Sequence, residues 1–436
     1  MIEPRTLPGF MELLPEDQIK FNSMIDKIRK SYEKFGFLPI DTPIIEMSDV
    51  LLAKAGGETE KQIYRFNKGE NDLALRFDLT VPLAKYVCEY FNDITFPFKR
   101  YQIGKVYRGE RPQKGRYREF YQCDIDIIGD GSLSIINDAE MPSVIYTTIK
   151  ELGFDKFTIR INNRKLLNGL FAELELTEKS TDIMRIIDKL EKIGKENVIK
   201  CLQDLDVPNE KIESIIKFIE IDGNNDEKIK ALEELQFSNE TFIQGLNEIK
   251  DVVKYVRLFG VPESNFKVDL TIARGLDYYT GTVYETFLDD YREIGSVCSG
   301  GRYDNLAGFY TDRKLPGVGV SIGLTRLFYK LNELNIVKEE EQSISKVLVV
   351  SMDEKYQNRA LEVADSLRKA GINTDVYLED KKIKAKFKYA DKLKIPYVAV
   401  IGENEEEHGT VSLKNMISGE QEELSVEGVI AKIKKF

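Results

Sequence analysis

The side chains that could do chemistry fall in a few short stretches. In Arg274-Gly-Leu-Asp-Tyr-Tyr-Thr-Gly281 a permanently charged guanidinium stands beside two phenols, Tyr278 and Tyr279. Thr282 to Phe287 is rich in β-formers, so Arg274 and Gly275 lead into a strand and Tyr279 falls where one side chain points into a cleft. A second stretch is Arg108-Gly-Glu-Arg-Pro-Gln-Lys-Gly-Arg-Tyr-Arg-Glu-Phe-Tyr-Gln-Cys-Asp-Ile-Asp126. Period-two alternation along its returning arm puts Arg116, Arg118, Phe120, Gln122, Asp124 and Asp126 on one face, with Tyr117, Tyr121, Cys123, Ile125 and Ile127 on the other. The first face is too polar for a core. Its arginines could clamp a polyphosphate in bidentate fashion, and its amide and carboxylates could hold a cationic, donor-rich small molecule. A solvated strand with cross-strand ion pairs would show the same alternation.

Two glycine-rich stretches follow, Gly300-Gly-Arg-Tyr-Asp304 and Leu315-Pro-Gly-Val-Gly-Val-Ser-Ile-Gly-Leu-Thr-Arg326. Gly317, Gly319 and Gly323 are spaced one residue off a dinucleotide fingerprint and lie along a strand rather than in a strand-to-helix turn, which rejects a Rossmann site. Glycines along a strand let a flat ligand or another backbone approach closely. Arg326, in the first turn of the next helix, opposes the helix dipole; a phosphate ligand would resolve that conflict, and a surface ion pair is the bland alternative. Arg76-Phe-Asp-Leu-Thr-Val-Pro82 reads as a strand end entering a helix, with Pro82 in the first turn and Thr80 as its N-cap.

Composition narrows the chemistry. The chain has 436 residues, and its net charge of -11 argues against coating nucleic acid through bulk electrostatics, so a nucleic-acid site must be a local basic patch. The only histidine, His408, sits in an acidic loop near the end of the chain, which sets aside Ser-His-Asp hydrolysis, Cys-His catalysis and multi-histidine metal sites. Cys88, Cys123, Cys201 and Cys298 form no C-x-x-C pair, so no structural zinc is expected; free, mostly buried thiols in a reducing compartment are. No apolar run approaches a membrane span and Met1 to Phe10 lacks a signal-peptide core, which makes the cytoplasm the expected location. Whatever is catalysed rests on carboxylates, arginines, amides and phenols.

The elements that must position these groups follow from periodicity. Apolar residues at helical spacing from Gln18 to Phe35, stopped by Gly36, predict an amphipathic helix, and Phe37 to Pro43 a strand broken by prolines. Thr95 to Gly129 predicts a long antiparallel hairpin around Pro112-Gln-Lys-Gly115. Residues 168–257 read as a helical insertion, Pro316 to Gly323 as a strand, and Leu324 to Leu334 as a helix. After a charged linker at 336–345, residues 346–436 alternate as β-α-β-α-β, predicting a compact α/β module with a mostly parallel sheet. Within it, Lys381 to Lys394 holds seven lysines and one acid, with Ile383, Phe387, Ala390 and Leu393 as an apolar stripe. A lysine-faced soluble helix and an RNA-backbone contact are both compatible with that run.

Taken in order, these stretches resemble the signature motifs of the histidyl-tRNA synthetase family, a class II aminoacyl-tRNA synthetase family. Motif two matches Arg108 to Asp126, the family octapeptide matches Arg274 to Gly281, and motif three matches the glycine-rich strand running to Arg326. The resemblance also covers the C-terminal module, through Lys386 to Asp391 and Gly409 to Lys414. Asp78 and Asp126 stand where many bacterial members carry glutamate.

The fold this implies is α+β: a mainly antiparallel sheet flanked by helices in residues 1–335, the helical insertion, and an α/β anticodon-binding domain. By the same resemblance Asp78, Thr80 and Gln122 hold the α-amino group of L-histidine. Asp126 and Tyr279 engage its imidazole, with Tyr278 and Tyr303 in the same pocket. Arg108, Glu110, Arg274, Gly323 and Arg326 bind ATP, which arrives with Mg2+, and Arg274 and Arg108 are the catalytic pair. Arg111, Gln113 and Arg116 meet the acceptor end of tRNA(His). A homodimer is implied. The alternative is a non-catalytic histidyl-synthetase-like regulatory subunit of histidine biosynthesis.

Overall fold

A computed structural model describes residues 1–53, 58–111, 117–272, 279–305, 307–336 and 343–435. The expectations for Gln113, Arg116, Arg274 and Tyr278, and for most of the linker, lie outside the described residues. The first helix is Pro15–Lys34, beginning ahead of Gln18. It stops at Gly36, whose positive φ of 77° turns its N–H onto the Glu33 carbonyl at 3.0 Å. The proline-interrupted segment after it pairs only briefly, as β1 (Leu38–Pro39), because prolines cannot donate to a ladder. Next, β2 (Ile45–Met47), β3 (Arg65–Lys68) and β4 (Asn71–Leu75) form a small antiparallel sheet in the order β2-β4-β3.

The main sheet adds β5 (Phe98–Tyr107), β6 (Glu119–Ile128), β7 (Phe157–Asn163), β8 (Phe266–Val268), β9 (Thr282–Leu288), β10 (Cys298–Tyr303) and β11 (Gly317–Gly323). Its order is β1-β5-β6-β11-β10-β9-β7-β8. Only the edge pairs β1–β5 and β7–β8 are parallel. The expected hairpin is β5 and β6, paired from Phe98 opposite Ile128 to Tyr107 opposite Glu119.

Alternation along β6 decides which side is core. Cys123, Ile125 and Ile127 are fully buried, each isoleucine contributing about 1.5–3 kcal/mol by leaving water. The first helix lies against that face, its Tyr32 hydroxyl donating to the Cys123 carbonyl at 3.0 Å. The opposite face is therefore left to the polar residues. The helical insertion is somewhat wider than expected, from helix Arg164–Glu173 to helix Glu240–Leu258.

By contact the chain divides into two compact units, Met1–Glu12 with Met24–Ile336, and Leu13–Ser23 with Val337–Phe436. The second contains β12 (Val347–Ser351), β13 (Thr374–Val376), β14 (Tyr397–Ile401), β15 (Val411–Asn415) and β16 (Gln421–Leu424), in the order β13-β12-β14-β15-β16. This corrects the mostly parallel sheet: β12 is parallel to both neighbours, but β14, β15 and β16 run antiparallel. Gly419, at φ 78°, and Asn415, whose side chain accepts from Ile417 and Ser418, close the β15–β16 hairpin that periodicity alone missed.

His408 is likewise not in a loop. Glu403–His408 is a short helix, with Glu405 accepting from the Gly402 N–H at 2.9 Å and Gly409 in the left-handed region behind it. The lysine-rich run forms helix Ile383–Lys392. Its apolar stripe is shorter than expected, because Leu393 is exposed. One lysine points inward: Lys386 is buried and donates to the Ser351 carbonyl at 2.8 Å. No helix among the described residues is long and apolar enough to cross a membrane.

Candidate active site

The polar face of β6 opens into a cavity of about 460 Å3 in the first unit. Asp78, Thr80, Arg108, Glu110, Gln122, Asp126, Tyr279, Tyr303, Gly323 and Arg326 all line it. Arg111 is exposed and does not contribute to the wall. Tyr117 does, although alternation assigned it to the other face, and Arg118 does not; Arg118 donates instead to the Glu110 carbonyl at 3.0 Å.

The run Arg76-Phe77-Asp78 gives three consecutive side chains three tasks. Arg76 is buried and staples β5 to the preceding chain, donating to the Lys105 carbonyl at 2.8 Å and the Thr42 carbonyl at 2.5 Å. The Phe77 ring supports Arg108, whose guanidinium lies 4.3 Å from its centroid and 5.0 Å from that of Phe120. Asp78 Oδ1 accepts from the backbone N–H of Thr80 at 3.1 Å and of Val81 at 2.9 Å, opening helix Thr80–Glu89. The cap is therefore the aspartate, which corrects the expectation for Thr80; a carboxylate also suits the helix N-terminus better than a hydroxyl does.

Glycines bring the cavity walls close. A Cβ at Gly319 would lie 2.1 Å from Asp126 Oδ1 and 2.6 Å from the Ile125 carbonyl, so β11 can sit beside Asp126 only without a side chain. A Cβ at Gly317 would meet the Tyr303 ring at 2.4 Å. The ring that this gap admits aims its hydroxyl at Asp126 Oδ1, 2.7 Å away. In Gly300-Gly-Arg-Tyr-Asp304, then, Tyr303 faces the cavity and its neighbours are anchors. Arg302 Nη2 pairs with the buried Asp138 at 2.6 Å, and Asp304 accepts from the Thr280 hydroxyl at 2.6 Å. Tyr279 is fixed from two sides, by Arg164 Nη1 donating to its carbonyl at 3.0 Å and by the backbone of Gly301 against its ring.

Arg326 lines the same cavity from the first turn of helix Leu324–Glu333, its Nη2 donating to the Ile294 carbonyl at 2.5 Å. Gly323 immediately precedes that helix. The cavity is thus lined by two arginines, Arg108 and Arg326, and by the carboxylates Asp78, Glu110, Asp124, Asp126 and Glu285. Burial pushes the carboxyls of Asp78, Asp124 and Asp126 upward. Asp124 reaches about 7 despite the nearby Arg100 guanidinium and Ser321 hydroxyl; Asp78 is held back mainly by the Val81 N–H and Arg108, and Asp126 by Arg100 and the Tyr303 hydroxyl. Gln122 Nε2 donates to Ser321 Oγ at 2.8 Å. Gln122 Oε1 and Asp124 Oδ1 are buried without a hydrogen-bond partner among the described residues.

Sequence reasoning placed Asp124 among the carboxylates of the polar face of β6 but gave no task to Arg100, Arg164 or Ser321, because nothing in a single strand or helix reveals which partner a cross-strand neighbour or an insertion will meet.

Residues 9–327 match the family described as Histidyl-tRNA synthetase, and residues 346–436 the family described as Anticodon binding domain. The chain is 61% identical to the histidine-tRNA ligase of Clostridium tetani, covering 100% of this chain and 99% of that protein. It is 51% identical to that of Finegoldia magna, with 100% of each covered. Among solved structures, histidyl-tRNA synthetase from Nostoc sp. PCC 7120 superposes with a TM-score of 0.93 at 40% identity, covering 100% of both chains. A protein from Bacillus halodurans described as an ATP phosphoribosyltransferase regulatory subunit/histidyl-tRNA synthetase shares the fold, with a TM-score of 0.75 at 20% identity over 91% of this chain and 97% of its own. A family match over most of the chain and full-length identity well above one half leave a single conclusion: the chain belongs to the histidyl-tRNA synthetase family.

Proposed function

We infer that this cavity activates L-histidine with ATP and that the chain then transfers the amino acid to the 3′ end of tRNA(His), acting as a histidine-tRNA ligase. The observation that carries this reading is one cavity lined both by two arginines, Arg108 and Arg326, suited to a nucleotide's phosphates, and by the carboxylates Asp78, Asp124 and Asp126, suited to a cationic amino acid. In the first step a carboxylate oxygen of histidine attacks the α-phosphorus of ATP in line. The bond from that phosphorus to the α,β-bridging oxygen breaks, giving histidyl-adenylate and pyrophosphate. Positioning and charge neutralisation supply most of the acceleration.

Arg108 and Arg326 grip the phosphates, with Glu110 and Gly323 on the same wall, and Mg2+ arrives with ATP as part of the substrate. Arg274 is assigned to the α-phosphate by family resemblance. Asp78, Thr80 and Gln122 take the α-ammonium group; Asp78 Oδ1 is committed to its helix cap, which leaves Oδ2 for the substrate. Asp126 and Tyr279 take the two imidazole nitrogens, and Tyr278 and Tyr303 complete that pocket. Pairing both nitrogens rejects analogues that lack either, because a buried polar group would then go unmatched. In the second step the adenylate phosphate accepts the proton as the terminal hydroxyl of tRNA attacks, so no side-chain base is required. Arg111, Gln113 and Arg116 meet the acceptor end.

The second unit is assigned to the anticodon, and its exposed lysines Lys381, Lys382, Lys384, Lys388, Lys392 and Lys394 to RNA phosphates. A homodimer is supported by the exposed apolar side chains Leu38, Ile44, Ile45 and Met47 around β1 and β2, which a second copy would cover. Four free cysteines fit a reducing, cytoplasmic setting.

The test is ATP–pyrophosphate exchange with each of the twenty amino acids, then charging of total tRNA. Exchange with histidine alone, together with charging, is expected; histidine binding without exchange would overturn the ligase reading. The glycine-lined wall adds a sharper expectation. Gly319→Ala forces a methyl against Asp126 and the Ile125 carbonyl, which neither can avoid within the sheet. It should destabilise the chain by about 2–4 kcal/mol and lower histidine-dependent exchange by more than ~100-fold. Thermal unfolding and exchange assays on the same preparation check both.

A further inference from the structure

We propose that Arg100 is a positioning residue of the amino-acid subsite, a buried cation that pairs with Asp126 across the β5–β6 ladder and holds that carboxylate in orientation without touching substrate. The proposal rests on the histidine reading of the cavity given above. Arg100 lies on β5 directly opposite Asp126, fully buried and not part of the cavity wall. Its Nη2 is 2.5 Å from Asp126 Oδ2 and 3.4 Å from the Leu79 carbonyl. With Tyr303 donating to Oδ1, both oxygens of Asp126 are fixed.

Stability alone does not account for this arginine. Its Nε and Nη1 are buried without a hydrogen-bond partner among the described residues. Unpartnered donors on a buried charge are costly, and an apolar side chain of similar length would avoid the cost. What Arg100 gains is its location: paired with Asp126, it is, among the described residues, the cation that acts on all three carboxylates, Asp78 from the turn before helix Thr80–Glu89 and Asp124 and Asp126 from β6. Among the described residues the other groups facing this cluster are Arg108 and Tyr310, which act on Asp78, Ser321 on β11, Tyr303 on β10 together with Tyr279, and Tyr32 of the first helix with Cys123 and Cys298. Arg108 is the second cation among them, and of the three carboxyls it acts on Asp78.

Removing Arg100 raises all three carboxyls further, so that at a given pH more of them carry a proton and offer a donor to a substrate that presents donors at its ammonium and imidazole N–H. The sign follows: histidine binding should weaken at neutral pH and recover as pH rises. In the unaltered protein, where Asp124 stands at about 7, the KM for histidine should already fall as pH rises through that value.

The experiment measures KM for histidine and for ATP by pyrophosphate exchange between pH 6 and 9 in the full-length protein and in Arg100→Met, Arg100→Lys and the double variant Arg100→Met/Asp124→Asn. Arg100→Met should raise the histidine KM at pH 7 by roughly 30-fold or more, leave the ATP KM within about twofold, and move the histidine pH profile up by about one unit or more. Arg100→Lys should restore most of the affinity. The double variant, which removes one cation and one anion, should fold at least as well as the single one and bring the profile back down. An unchanged histidine KM, an equal rise in both KM values, or a higher KM with an unmoved pH profile would each overturn the proposal in favour of packing. So would failure of both the single and the double variant to fold. Histidine-specific exchange by the unaltered protein separates these outcomes from failure of the underlying reading.

Discussion

Asp126→Asn is expected to lower kcat/KM for histidine in ATP–pyrophosphate exchange by about 100- to 1000-fold, mostly through KM. The substitution is nearly isosteric, so the close approach of Gly319 is preserved and the loss is chemical rather than steric. Asp126 now accepts from the Tyr303 hydroxyl and from Arg100. An amide has one acceptor oxygen where the carboxylate has two, so its NH2 group would either face Arg100, which only donates, or displace the bond now donated by the Tyr303 hydroxyl or the one expected from the imidazole N–H. Arg100 would also remain buried with its charge partner gone, a loss that ordinarily costs about 3–5 kcal/mol when one side of a buried pair is removed. Histidine titrations of exchange, with the ATP KM as internal control, give the result directly. A change in histidine KM below about fivefold would remove Asp126 from the recognition of imidazole.

That so much of the site could be read from the sequence has a physical reason. The polar face of β6 was visible because a strand repeats every two residues, and a run of Gln122, Asp124 and Asp126 opposite Cys123, Ile125 and Ile127 fits one orientation only. The glycines of β10 and β11 announced a close approach, but not what approaches: the Tyr303 ring and the Asp126 carboxylate, groups of the protein itself. Arg100 and Arg164 were invisible because their significance lies across a strand pair and across the junction with the insertion, and neither sits in a distinctive local pattern. The second unit went partly astray for a related reason. Its β12 and β14 are apolar and fully legible, whereas β16 is a polar edge strand, Gln421–Leu424, that only its partner makes a strand.

Arg108→Ala is expected to cut the maximal exchange rate by about 1000-fold while the dissociation constant of histidine changes by less than about threefold. Its guanidinium is held between the Phe77 and Phe120 rings and by its Nε donating to the Phe77 carbonyl at 3.3 Å, so the planar fork is oriented before ATP arrives. A fixed cation gives up little conformational freedom on binding and needs no reorganisation as charge moves onto the leaving pyrophosphate, which is why its removal should appear in the rate rather than in amino-acid affinity. Lysine keeps the charge but loses the fork and the stacking, and Arg108→Lys should recover only about tenfold. One coupling works against a clean separation: Arg108 also helps hold down the carboxyl of Asp78, so its loss should weaken histidine slightly, and more at pH 6 than at pH 8. Lysine at this position should abolish that small pH-dependent part while leaving most of the rate defect. Calorimetric titration of histidine alongside exchange rates separates the two contributions, and a histidine affinity that falls as steeply as the rate would reassign Arg108 from the phosphates to the amino acid.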